Sequence, residues 1–317
     1  MKQRNFFIRS AMLITTGTLI FLSSCDKDET PPATNTITDV VVSGSNFTTL
    51  ESAVIKANLQ ATLSGAGPFT VFAPDDAAFA ASGITTAVLN SLTAPQVQNI
   101  LLYHTIASKI LAANVPAGPN AKVITASGDS VFVTKNATGV YVNGIKVNTA
   151  DISADNGVIH TIGKVLIPAA GNIVETAVAN RLDSLVKAVT RATTASGGDP
   201  TLASTLSSAR LTVFAPTNAA FTQLLSALSL SKIDDIPVAT LLAVLRYHVV
   251  GGRAFSSDLS NGNLPMLAGG NTVINLTNAG GPTITGNGNG TNKSNIISTN
   301  IVCRNGVVHL IDRVLLP

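Results

Sequence analysis

One passage occurs twice in this chain, and whatever the first copy folds into, the second must fold into as well. Phe69 to Phe79 reads Phe-Thr-Val-Phe-Ala-Pro-Asp-Asp-Ala-Ala-Phe, and Leu211 to Phe221 reads Leu-Thr-Val-Phe-Ala-Pro-Thr-Asn-Ala-Ala-Phe. Each is followed by a Tyr-His pair, Tyr103-His104 or Tyr247-His248, and then by a closing passage, Asn156 to Pro168 or Asn305 to Pro317, with His160 or His309 at its centre. Matching residues lie 142, 144 and 149 positions apart at the three places, so the copies differ by small insertions within one framework. A period of this length is too long for a solenoid unit and suits a domain that buries its own core. The sequence therefore reads as two tandem domains, 37–168 and 172–317, joined through Ala169-Ala170-Gly171, a link too short for free tumbling.

Ahead of the repeats, Lys2, Arg4 and Arg9 precede an apolar run from Ala11 to Leu22 that ends Leu22-Ser23-Ser24-Cys25. The run is too short to span a bilayer, which makes residues 1–24 an expected export signal. Its ending resembles the lipobox of bacterial lipoproteins, a resemblance that implies Cys25 as the acylated first residue of the mature chain and a membrane hold through that lipid alone. Residues 25–36 begin Asp26-Lys27-Asp28-Glu29 and continue in Pro and Thr, the composition of a solvated tether. The acidic cluster resembles the export signal that sends some lipoproteins to the outer face of an outer membrane, a resemblance that implies an outer-membrane lipoprotein exposed at the cell surface. Removal of the signal would cut 20 basic residues to 17 against 17 acidic ones. A chain that close to neutrality gives no support to a nucleic-acid partner.

Within each copy, apolar residues at helical spacing, Val97, Ile100, Leu101 and then His104, or Leu241, Val244, Leu245 and then His248, predict an amphipathic helix with the histidine on its apolar face. Earlier helices are expected over Thr48 to Leu59 and Asn180 to Thr193. The Phe-Thr-Val-Phe and Leu-Thr-Val-Phe runs read as strands stopped by Pro74 and Pro216, with Asp75 and Thr217 as N-caps of a following helix. Lys122 to Val147 and Met266 to Ile301 hold β-branched runs broken by Gly, Asn and Ser, the pattern of an antiparallel meander. Helices first and strands later is an α+β arrangement.

These passages together resemble the fasciclin domain, from about Ile37 to Pro168 and again from about Asn172 to Pro317. The resemblance implies a β-sheet wedge with several helices packed around it in each copy, and a role in cell adhesion or the extracellular matrix without catalysis. In animal members Tyr-His and Asp-Ile segments are linked to receptor binding. By resemblance Tyr103, His104, Asp151, Ile152, Tyr247 and His248 become candidate partner-binding residues, although Asn300-Ile301 departs from Asp-Ile in the second copy.

The remaining chemistry is sparse. All four histidines occupy matched positions, but no metal-ligand spacing and no nucleophile accompanies them, so each reads as a partly buried core residue whose ring nitrogens satisfy backbone groups, and His160 and His309, like Pro74 and Pro216, are assigned to structure. The neighbouring acids also fail to match, with Asp151 facing Asn300 and Asp155 facing Arg304, which disfavours a shared histidine-carboxylate mechanism. A hydrolytic enzyme is thus a remote alternative, and neither metal nor cofactor is expected. The partner expected at the cell surface is a protein or a polysaccharide. The absence of Trp and the presence of only three Tyr weaken a glycan site built on stacking rings. Gly286 to Ser294 reads as a flexible hairpin loop within the Gly-Asn passage Gly280 to Asn295, which has no equal in the first copy, and Cys303 as a buried, inert thiol.

Overall fold

The computed structural model describes residues 35–317. The expected export signal, Cys25 and most of the expected tether lie outside the described residues. The last two tether residues belong to the first domain instead. Thr36 caps the first helix with its side chain, and Asn35 exchanges hydrogen bonds with Asp155, its N–H donating to the carboxylate at 2.7 Å.

The first domain runs α1 (Ile37–Ser43), α2 (Thr48–Lys56), α3 (Gln60–Leu63), β1 (Phe69–Pro74), α4 (Asp76–Ala81), α5 (Thr86–Ser91), α6 (Ala94–Tyr103), β2 (Thr105–Ile106), β3 (Gly118–Ile124), β4 (Ser130–Asn136), β5 (Gly139–Val142), β6 (Ile145–Ala154) and β7 (Gly157–Ile162). The second runs α7 (Ile173–Ala179), α8 (Asp183–Thr194), α9 (Thr201–Ser208), β8 (Leu211–Pro216), α10 (Asn218–Ala227), α11 (Val238–Arg246), β9 (Val249–Gly251), β10 (Gly262–Pro265), β11 (Asn271–Asn275), β12 (Thr283–Thr285), β13 (Ser294–Cys303) and β14 (Gly306–Ile311). Each domain is α+β with one seven-stranded mixed sheet, ordered β2-β1-β7-β6-β5-β4-β3 or β9-β8-β14-β13-β12-β11-β10.

The sheet order explains why two distant motifs repeat together. β1 lies parallel to β7, and β8 parallel to β14, so the opening and closing passages are neighbouring strands with Phe72 beside His160 and Phe214 beside His309. The other contacts are antiparallel, as the meander pattern predicts. The parallel pair is the feature that period-two patterning cannot reveal. Close approach of these strands requires Gly157 and Gly306, where a Cβ would strike the carbonyls of Phe69 and Leu211.

Helices cover one face of each sheet and bury the larger core, which includes Leu50, Phe79, Val97 and Leu101 in domain 1 and Leu185, Phe221, Leu241 and Leu245 in domain 2. Each of these side chains contributes on the order of 1.5–3 kcal/mol by leaving water. A smaller core lies under the meander, around Phe72, Tyr103 and Ile162 or around Phe214, Tyr247 and Ile311. Pro74 and Pro216 end their strands, and Asp75 and Thr217 accept the capping hydrogen bonds from Ala78 N and Ala220 N.

Two expectations are adjusted for local reasons. The helix expected over Thr48 to Leu59 ends at Lys56 because Asn58 turns left-handed, and the one expected over Asn180 to Thr193 forms as α8, starting only after Arg181 has turned left-handed. The Gly-Asn passage is not a free hairpin loop. Asn287–Asn289 forms a short 3₁₀ turn, and buried Asn289 donates from Nδ2 to Val314 O (2.9 Å) while its Oδ1 accepts from Leu316 N (2.8 Å). The passage pins the last residues of the second domain.

Candidate binding face

The repeated polar residues hold the fold together. The side chain of Asn156 accepts from Ile37 N and donates to Leu63 O and Gly65 O, and Asn305 repeats this with Ile173 N, Leu206 O and Ala209 O. At the end of α6, His104 Nδ1 donates to Ile100 O (2.8 Å) and Nε2 accepts from Leu166 N (2.9 Å). His248 at the end of α11 does the same with Val244 O (2.7 Å) and Leu315 N (2.9 Å). His160 and His309 use the opposite tautomer. Their Nε2 atoms donate to Ile110 O and Ala254 O, both at 2.9 Å, and Nδ1 accepts from the N–H of Asp151 (3.1 Å) or Asn300 (3.4 Å). Burial pushes His104, His248 and His309 down to about 4, so each is neutral at ordinary pH.

These last contacts build a face. Irregularities in β6 and β13 put Asp151 and Asn300 in the left-handed region, at φ of 61° and 66°, a conformation that Asp and Asn adopt more readily than most residues. The bulge turns each side chain toward the segment that the histidine holds. Asp151 Oδ1 accepts from Ala112 N at 2.9 Å, and Asn300 Oδ1 accepts from Ser256 N at 2.7 Å. What the two copies share is therefore an acceptor oxygen, which both a carboxylate and an amide supply. The charge is not shared, and Asp151 Oδ1 stands 3.9 Å from His160 Nδ1, whose bond goes to a backbone N–H instead.

In domain 2 this face is occupied. Phe255 projects from the held segment against Phe132 of domain 1, with ring centroids 6.0 Å apart, and the Arg253 guanidinium lies 3.8 Å over the same ring. Asn120 Nδ2 donates to Arg253 O (2.7 Å) and to Asp258 (3.1 Å), Thr134 donates to Asp258 (3.2 Å), and Asn136 donates to Ser257 O (3.2 Å). At Gly144, with φ of 73°, a Cβ would collide with Asn300 and Phe255. Among the described residues no hydrogen bond joins the corresponding segment of domain 1, Ile110 to Asn114, to domain 2. Ala113, Asn114 and Asp151 are exposed, and Leu111 stands where domain 2 has Phe255. Lys135 steadies the segment by donating to the carbonyls of Ala112 (3.1 Å) and Ala113 (3.2 Å).

The candidate partner-binding residues thus separate. Tyr103, His104, Tyr247 and His248 are 1%, 2%, 2% and 1% exposed, the two tyrosines packed into the second core beneath the meander and the histidines capping their helices. Tyr103 donates to Ser130 O and Tyr247 to Asn271 O, and burial pushes the Tyr103 phenol up to about 12. Ile152 is half-buried against the helical core, which leaves Asp151 as the member of the set at the surface. Phe255, Arg253, Phe132 and Asn120 escaped the sequence analysis. Their signal was the mismatch between copies, Leu111 against Phe255, rather than the match. Cys303 is buried, and burial pushes its thiol up. Among the described residues no group of His, Cys, Asp and Glu is arranged to hold a metal, and no helix is long and apolar enough to cross a membrane.

Comparison with known proteins places this architecture. The Synechocystis protein sll1483 is 39% identical over 135 residues, covering 42% of this chain and 73% of its own. Transforming growth factor-beta-induced protein ig-h3 of Sus scrofa is 37% identical over 151 residues, 47% of this chain but 21% of that relative, so the chain spans about a fifth of the animal protein. The solved domain pair from the insect cell adhesion molecule fasciclin I matches 84% of this chain and 92% of its own at 18% identity, with a TM-score of 0.39. The fasciclin domain model matches residues 45–168 and 184–317, most of the chain, and the protein belongs to the fasciclin domain family as a tandem pair.

Proposed function

We propose that this is a non-enzymatic surface protein, held to the outer membrane by a lipid on Cys25, that acts in cell adhesion or matrix contact through the free face of domain 1. The observation that carries this reading is that the matching face of domain 2 already packs against another folded domain, closed against Phe132, Thr134 and Asn136 of domain 1. The face of domain 1 is built on the same scaffold, with Asp151, Ala113 and Asn114 at its surface and Leu111 half-buried among them. Loops on a rigid scaffold are a common place for recognition. Catalysis is disfavoured because both ring nitrogens of all four histidines are committed to backbone groups, which leaves none free as a general base. No cofactor enters the proposal.

Ala113→Arg combined with Asp151→Asn, displayed on cells or beads, should cut attachment to matrix or to other cells while leaving the melting temperature nearly unchanged. Attachment equal to the parent's would remove the face from the proposal. The anchor is tested separately, because Cys25→Ser should move the protein out of the detergent phase.

A further inference from the structure

Where the two domains meet, they leave a cleft of about 840 Å³ beside the Phe132–Phe255 contact. Its charged lining is one-sided. Lys122 comes from domain 1 and Arg210, Arg253 and Arg304 from domain 2, against a single carboxylate, Asp129. None of these four cations is in an ion pair among the described residues. Arg253 is half-buried, and its Nη2 donates to the carbonyls of Cys303 and Arg304, both at 3.1 Å, so it is fixed in place without being neutralised. Burial and the neighbouring Arg210 both draw its pKa below the usual arginine value. Guanidinium groups held near one another without an acid between them are destabilised by repulsion and desolvation, and a bound anion relieves both.

The uncharged lining narrows the ligand. Asn120 lines the cleft as an uncharged amide, its Nδ2 committed to Arg253 O and Asp258. Ser130 and Ser208 add hydroxyls at the wall. Phe132 also lines the cleft, but Arg253 and Phe255 cover its ring, which leaves no open aromatic platform for a nucleobase. The volume falls within the roughly 300–1,000 Å³ common for small-ligand sites.

We propose that the cleft binds an acidic oligosaccharide, with carboxylate or sulfate groups held by Arg210, Arg253 and Arg304 and sugar hydroxyls paired with Ser130 and Ser208. Planar guanidinium forks match carboxylate and sulfate oxygens, whereas the hydroxyls match the polyol. The cleft lies on a different surface from the Asp151 face, so either proposal can fail without the other.

Titration calorimetry on the full chain tests it, with a galacturonate hexasaccharide, a sulfated hexasaccharide, neutral maltohexaose, inorganic sulfate and poly-glutamate as probes. The expected result is binding of at least one acidic saccharide but not of maltohexaose. Arg210→Gln with Arg304→Gln, two exposed positions, should weaken that binding roughly tenfold or more at an unchanged melting temperature. Asp129→Asn should tighten it by removing the one repelling carboxylate. Affinity unchanged in the double variant, weaker binding in Asp129→Asn, equal binding of maltohexaose, or sulfate ion or poly-glutamate binding as tightly as the saccharides would each overturn the proposal. Preference for the galacturonate or for the sulfated probe decides which acidic group the cleft takes.

Discussion

Domain 1 and domain 2 carry the same face and use it differently. In both, a buried histidine on the closing strand holds a carbonyl of the segment after the Tyr-His pair, and a left-handed Asp or Asn holds that segment's N–H. Domain 2 closes the result over its neighbour with Phe255, and domain 1 leaves it open with Leu111. In a tandem duplication, repeated residues therefore report what every copy needs to fold. The unrepeated ones report what each copy touches.

The largest expected effect follows from that substitution. Phe255→Ala empties a fully buried site between the domains and should cost about 3–5 kcal/mol, whereas Leu111→Ala, half-buried on the open face, should cost about 1 kcal/mol. Denaturant unfolding of both variants checks this, and Phe255→Ala should also split one transition into two. Equal costs would mean that the two faces are equally loaded and would break the comparison.

Next come features that should behave alike in both copies. His104→Ala and His248→Ala each strand a buried backbone N–H, of Leu166 or Leu315, and each should cost about 1–3 kcal/mol. Because His104, His248 and His309 are held near 4 against an unfolded value of 6.5, the unfolded chain binds more protons between those limits. Their contribution to stability is complete above about pH 6.5 and is lost as pH falls toward about 4, by at most about 1.4 kcal/mol per pH unit for each histidine. Melting curves from pH 7.5 to 4 should show that slope, and it should shrink in a His248→Gln background.

Asn289 should separate the domains again, since the passage that contains it belongs to domain 2. Asn289→Ala removes both side-chain bonds to the final strand extension and should cost about 1–2 kcal/mol, read as a lower unfolding midpoint. The smallest effects concern the bulge. Asp151→Asn keeps the acceptor oxygen and should change stability by less than about 0.5 kcal/mol. Asn300→Asp loses the donor that bonds Ser256 Oγ at 2.8 Å and should cost about 1 kcal/mol.

Much of this was legible in the sequence, and what was not has physical reasons. The strands, the Pro stops and the caps at Asp75 and Thr217 follow from local rules, and the shared α+β layout follows from the order of the patterns. The parallel pairing of β1 with β7 does not, because strands buried on both faces show no alternation and their partner lies far along the chain. Tyr103 and His104 became binding candidates only by resemblance; the helix pattern already placed His104 on an apolar face, and what it could not reveal is the second layer that closes over Tyr103. The Gly-Asn passage resembled a free loop because Asn289 gains its partners only once the chain terminus has folded back beside it.

Hydrogen exchange measured peptide by peptide on the full chain, comparing 109–115 with 253–259, tests most directly whether one copy of the face is closed and the other open. The expected result is exchange of 253–259 only with global unfolding and exchange of 109–115 through local opening, faster by roughly 100-fold or more. Equal rates in the two segments would contradict it.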